Sequence, residues 1–131
     1  MDRFTMLRSL ACLAVLAASP ALAADKTEAV HFKAGATSAT LKGNVKGNDV
    51  HTYTLAAAAG QVMQVLLSPS TSTCYFNVLP PGSEEAIFNG SSEGNEFGGT
   101  LGATGDYRAV VYVMGNQAPC SYEITFEISA K

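Results

Sequence analysis

Apolar and polar residues alternate one by one along most of this chain. In SYEITFEIS, residues 121–129, Tyr122, Ile124, Phe126 and Ile128 fall on one side and Glu123, Thr125 and Glu127 on the other. A period of two predicts a strand with one buried and one wet face. QVMQVLLS repeats the pattern with Met63, Val65 and Leu67, and TCYFNVL with Cys74, Phe76 and Val78. VHTYTLA, from Val50, is a further strand rich in Thr and Tyr. ATLKGNV, AIFNG and EFGGTL read as shorter strands, and VHF at Val30 as an edge strand.

Turn signals fall between these runs about every ten residues: KGND, AAAAGQ, PPGSEE, SSEGNE and ATGD. No segment sustains a helical period, and the four alanines before Gly60 read as a loop. Many short strands at this spacing predict an all-β protein, an antiparallel β-sandwich of about eight strands.

The strand from Tyr107 to Met114 departs from the rule. Tyr107, Ala109, Val111 and Val113 form one apolar face, and Val110, Tyr112 and Met114 form a second. One face covers the core. The other needs a cover, either a packed loop or a second copy of the chain, which makes Val110, Tyr112 and Met114 a candidate dimer face.

The start of the chain follows a different pattern. Arg3 and Arg8 precede a short apolar run over residues 10–18, and ALA at 21–23 offers a cleavage site after Ala23. Residues 1–23 read as a secretory signal peptide, too short in its apolar part to span a membrane, so no membrane association is expected after cleavage. Residues 24–131 then form one domain of 108 residues.

Export changes the reading of charge and cysteine. The mature chain keeps six Lys and Arg and ten Asp and Glu, a net charge near −4. No basic patch is visible for nucleic acid, and a basic protein partner fits better. Cys74 and Cys120 remain as an even pair, which in an exported protein predicts a disulfide. It closes a 46-residue loop.

Chemistry for catalysis is not apparent. There is no G-x-S-x-G elbow, no phosphate loop and no metal-ligand spacing around His31 and His51, so neither an enzyme nor a metal or other cofactor is expected. His51 reads as a surface or half-buried strand residue, and Glu84 and Glu85 as part of a solvated turn. What remains is binding through loops. Thr104, Gly105, Asp106, Tyr107 and Arg108 form the densest polar cluster beside a strong strand. Gly105 suits a tight turn, Thr104 can donate a hydroxyl, and Arg108 can fork onto carboxylates. Tyr107 carries two readings: a contact residue, or a corner residue whose hydroxyl pins the preceding turn.

Three stretches carry a resemblance: residues 32–67, FKAGATSATLKGNVKGNDVHTYTLAAAAGQVMQVLL; residues 75–101, YFNVLPPGSEEAIFNGSSEGNEFGGTL; and TGDYRAVVYVM from Thr104. Together they resemble the periplasmic lysozyme inhibitors of the g-type and i-type classes. They are also similar to the small β-sandwich modules at the C-terminal ends of secreted proteases. The order and spacing of KGNDVHTYT and FNVLPPGSEEAIF are the more specific marks. The resemblance implies a periplasmic β-sandwich that places a loop in the active-site cleft of a lysozyme. In the i-type class, also described as dimeric, the motif S-G-x-Y stands where this chain has Thr104-Gly105-Asp106-Tyr107, so the i-type enzyme is the expected target ahead of the g-type, with Thr104, Tyr107 and Arg108 as the plug. Relatives often carry arginines after that tyrosine; here AVVYVMGNQAPC follows Arg108, which removes cationic contacts. A free-standing accessory module for envelope glycan or protein, without lysozyme inhibition, is the alternative.

Overall fold

Where the chain alternates, the alternation decides what lies inside. In the computed structural model, which describes residues 25–115 and 119–130, the inward phases of four strands are buried as the pattern demands. These are Met63, Val65 and Leu67; Cys74, Phe76 and Val78; Tyr107, Ala109, Val111 and Val113; and Tyr122, Ile124, Phe126 and Ile128. The signal peptide expected over residues 1–23 lies outside the described residues.

The elements run β1 (Asp25–Ala29), β2 (Ser38–Val45), β3 (Val50–Ala57), β4 (Val62–Pro69), β5 (Cys74–Leu79), β6 (Phe88–Asn89), α1 (Gly90–Glu93), β7 (Glu96–Thr100), β8 (Gly105–Val113) and β9 (Cys120–Ser129). They build two sheets, one ordered β1-β3-β8-β5-β6 and the other β2-β9-β4-β7. The inner faces of the two meet in one apolar core. Cys74 on β5 and Cys120 on β9 join the sheets through a disulfide, with Cα atoms 6.2 Å apart.

Three local expectations change. The edge strand is Asp25–Ala29, not VHF, and it pairs with β3 in parallel while the other pairs are antiparallel. Val30 still donates to Thr54 O at 2.8 Å, but the chain then turns, with Ala36 N–H on Lys33 O. Backbone pairing to β3 overrides the low strand propensity of DKTEA. The alanine run is split: Ala56 and Ala57 remain in β3 opposite Asp106 and Gly105, and the turn starts at Ala58. In SSEGNE one helical turn forms, capped by Asn89 Oδ1 on Ser91 N–H.

The outer face of β8 is closed in part by its own neighbours. Val110 and Tyr112 are half-buried. The Tyr112 ring lies against Tyr75, centroids 6.1 Å apart, and its hydroxyl donates to Asn77 Oδ1 at 2.9 Å. Met114 stands beyond the end of β8 and is 48 % exposed. Of the three residues grouped as a candidate dimer face, Met114 is the most exposed, while Val110 and Tyr112 keep only part of their surface in solvent.

His51 is neither a surface nor a half-buried residue. It is 3 % exposed, because the inward phase of β3 is His51, Tyr53 and Leu55. Its Nδ1 lies 2.7 Å from Tyr122 Oη and 3.2 Å from Tyr53 Oη, and the two hydroxyls are 2.8 Å apart. Tyr53 comes from the first sheet and Tyr122 from the second, so the triad is a polar clasp across the core. Its Nε2 comes within 3.3 Å of Glu28 Oε1 on β1 without an aligned hydrogen bond. Burial drives the imidazole below its ordinary pKa of 6.5, helped by Lys26 and opposed by Glu28. Burial also pushes the Tyr122 and Tyr53 hydroxyls above their usual range, so both stay protonated.

A pH dependence follows. The unfolded chain takes a proton on His51 below about pH 6.5, where the folded chain resists it. The clasp's contribution is full above that pH and is lost as pH falls through the folded value. Unfolding free energy is expected to drop with a slope of up to about 1.4 kcal/mol per pH unit just below pH 6.5. Urea unfolding at pH 7.5, 6.0 and 5.0 measures it, and His51→Gln should flatten this part of the profile. An unaltered slope in the variant would exclude His51 as its source.

Candidate functional site

The segment Thr104 to Arg108 lies where the 101–104 turn enters β8, at the end of the sandwich away from the disulfide. Each residue has a defined partner or exposure. Thr104 is exposed, and its Oγ1 accepts from Ala59 N–H at 2.9 Å, which leaves the hydroxyl proton free to donate outward. That bond ties the corner to the β3–β4 turn. Backbone bonds reinforce the tie, Gly60 N–H to Leu101 O and Leu101 N–H to Gln61 O, both 2.8 Å.

Gly105 opens β8 at φ +150°, and a Cβ there would meet Pro81 Cβ at 2.8 Å. The requirement for glycine comes from the close approach of the 80–87 loop as much as from the turn. Asp106 is exposed. Arg108 reaches the same loop: Nη1 lies 3.0 Å from Glu84 Oε2, and Nη2 donates to the Ser83 carbonyl.

Tyr107 takes the corner geometry. It is 2 % exposed, and its hydroxyl donates to Ala103 O at 2.6 Å and accepts from Ala103 N–H at 3.2 Å. Its hydroxyl faces back into the chain and holds the 103–107 corner closed. Tyr107→Phe leaves two backbone groups of Ala103 without these bonds, which is expected to cost about 1–3 kcal/mol of stability. Urea unfolding tests this, and an unchanged midpoint would show that the hydroxyl does not hold the corner.

The five residues thus share one end of the fold but divide in role. Thr104 and Asp106 are presented outward, while Tyr107 and Arg108 stitch the corner to itself and to the 80–87 loop. Beside them opens an apolar cleft of about 350 Å³ lined by Pro80, Ile87, Phe97, Leu101, Ala103 and Tyr107. Ile87 at its rim is 49 % exposed. Glu84 pairs with the Arg108 guanidinium, and Glu85 and Asp106, in the same two segments, are exposed, so carboxylates outnumber the one arginine there.

The 80–87 loop was missed as part of the site. PPGSEE reads as a solvated turn, and Glu84 is indeed 87 % exposed at its side chain. Its contact with Arg108 spans 24 positions of sequence, which no local pattern reveals.

Comparison with known proteins bears on this site. The inhibitor of g-type lysozyme of Escherichia coli (strain K12) is 33 % identical over 81 residues, which span 62 % of this chain and 59 % of that protein's length. The crystal structure of Aeromonas hydrophila PliG, a periplasmic lysozyme inhibitor of g-type lysozyme, superposes with a TM-score of 0.76 at 34 % identity. The match covers 82 % of this chain and 100 % of that one. The pre-peptidase C-terminal domain of a Bacillus anthracis collagenase shares the fold, with a TM-score of 0.54 at 14 % identity over 85 % of this chain. No family model matches. Both inhibitors are described for the g-type enzyme, against the i-type preference read from the S-G-x-Y position.

Proposed function

Because the chain belongs to the PliG family of periplasmic inhibitors of g-type lysozyme, we propose that it binds a g-type lysozyme and blocks its cleft with the Thr104 end of the sandwich. It is a periplasmic protein that acts by binding, and the earlier order of classes, i-type before g-type, is reversed. The observation that carries this is the 34 % identity over the whole length of the PliG chain.

The mode of blocking rests on the geometry of the corner. Lysozymes cut glycosidic bonds with carboxyl groups lining a cleft. Thr104 offers an outward hydroxyl to such a group, and Asp106 can accept from a carboxyl that holds its proton. Tyr107 supports both from beneath. A corner already closed by Tyr107 and Thr104 loses little conformational freedom on docking. The acidic surroundings suit a basic rim on the enzyme.

The test is a lysis assay with goose, chicken and invertebrate-type lysozymes, with and without the purified protein. Inhibition of the goose enzyme alone is expected. No effect on any of the three sinks the inhibitor reading, and inhibition of only the invertebrate enzyme restores the i-type class. Asp106→Lys, an exposed substitution, should weaken inhibition with little change in melting temperature; full inhibition would remove this corner from the interface.

A further inference from the structure

We propose that Arg108 is a positioning residue: its guanidinium clamps the 80–87 loop against β8, and so shapes the lysozyme-binding face without itself touching the enzyme. The inference rests on the reading that this end of the sandwich is that face.

Arg108 stands on β8 directly opposite Leu79, the last residue of β5, where the 80–87 loop departs. Its fork is divided between two acceptors of that loop. One arm takes the Glu84 carboxylate at 3.0 Å and the other the Ser83 carbonyl. The pair is asymmetric in exposure, 27 % for the Arg108 side chain against 87 % for Glu84. The guanidinium is held near the sheet while the acid stands in solvent.

An ion pair this exposed adds at most about 1 kcal/mol to global stability. Its larger effect is local. Two other polar bonds are short-range, Ser83 N–H to Pro80 O at 3.3 Å and Glu85 N–H to Ser83 Oγ at 3.0 Å, and at the loop's far end Ile87 N–H bonds Val78 O on β5 at 2.8 Å. Arg108 carries the loop's side-chain tie to the sheet, and Gly105 makes room for Pro81 beside it. A loop ordered before docking gives up less entropy on binding.

A direct contact role makes the opposite forecast for Glu84. If Arg108 served the lysozyme carboxylates, Glu84 would compete with them, and removing it would strengthen binding. If Arg108 works through the loop, removing Glu84 weakens binding as removing Arg108 does. The sign of the Glu84→Ala effect therefore separates the two roles.

Two measurements test the clamp. Inhibition constants against a g-type lysozyme are compared for wild type, Arg108→Gln, Arg108→Lys and Glu84→Ala. Cleavage by a glutamyl endopeptidase after Glu84 and Glu85 is timed for wild type and Arg108→Gln with no lysozyme present. Arg108→Gln should weaken inhibition about tenfold, with Glu84→Ala moving the same way by about threefold. Arg108→Lys, which keeps the charge but not the fork, should fall between wild type and Arg108→Gln. Melting temperatures should stay within about 4 °C of wild type, and cleavage of Arg108→Gln should be faster by about tenfold. Inhibition by Glu84→Ala equal to or better than wild type overturns the proposal in favour of contact. Unchanged cleavage in Arg108→Gln overturns the clamp on its own. A wild-type protein that inhibits no lysozyme sinks the binding-face reading, and with it the role of Arg108 in recognition.

Discussion

Replacing Cys74 and Cys120 together by alanine is expected to lower the unfolding free energy by about 4 kcal/mol, the loop-closure entropy of a chain cross-linked across 46 residues. This is a large share of the roughly 5–15 kcal/mol that holds a domain folded. Both cysteines are fully buried, so two small cavities add to the loss. The bond joins β5 of one sheet to β9 of the other, and no backbone ladder pairs those two strands. With it gone, the apolar core and the clasp must join the sheets without that cross-link. Urea unfolding of the double variant gives the number. Because the cross-link also compacts the unfolded chain, the denaturant slope should rise in its absence. A loss below about 1 kcal/mol would mean that the native bond is strained or that the unfolded chain is already compact. The Thr104 corner is at the far end of β8 from Val113, which pairs with Cys74. Inhibition measured where the variant is still folded should therefore be close to wild type.

What could be read from the chain depended on whether one strand face was wet. On β9 the alternating polar residues, and on β4 and β5 Gln64 and Asn77, revealed the phase, and the inward set is the core, although Leu66 on the outer phase of β4 is apolar and 46 % exposed. β1 carried no such signal. All five of its residues are exposed, and it exists because its backbone pairs with β3, an interaction that side-chain patterning does not encode. His51 was misread because a polar residue was assigned to the wet face. Its phase, two before Tyr53 and four before Leu55, was the available clue. The corner residues from Thr104 to Arg108 were legible because glycine followed by Asp-Tyr before an apolar run has a local meaning. Their partners were not. Ala59 lies 45 positions from Thr104, and Glu84 lies 24 from Arg108, so only the folded topology brings them together. The inward role of Tyr107 was different: its partner Ala103 is only four positions away, so the corner could be posed from the sequence as one of two readings, and the buried ring with its two Ala103 bonds decides for it.

Gly43→Ala should cost about 2–4 kcal/mol, far more than the substitution costs in an ordinary strand, where alanine is neutral or favourable. Gly43 pairs with Tyr122 across β2 and β9, and the tyrosine ring lies over it. A Cβ at Gly43 would stand 2.3 Å from Tyr122 Oη and 2.9 Å from Tyr53 Oη. A flexible side chain could swing away from such a clash. Tyr122 cannot do so freely, because its hydroxyl is fixed 2.7 Å from His51 Nδ1 and 2.8 Å from Tyr53 Oη. Moving it opens two buried hydrogen bonds, and unpaired groups in this apolar setting are costly to leave. Gly98→Ala is the control: it lies on edge strand β7, and its nearest side-chain atom is Gln64 Cγ at 3.9 Å. That variant should unfold within about 0.5 kcal/mol of wild type. If Gly43→Ala matches the control, the clasp has slack and its bonds do not position the sheets. If it loses stability and also flattens the decline below pH 6.5, as His51→Gln should, then glycine, both tyrosines and histidine act as one unit, and a position with no side chain sets the titration of one eight residues away.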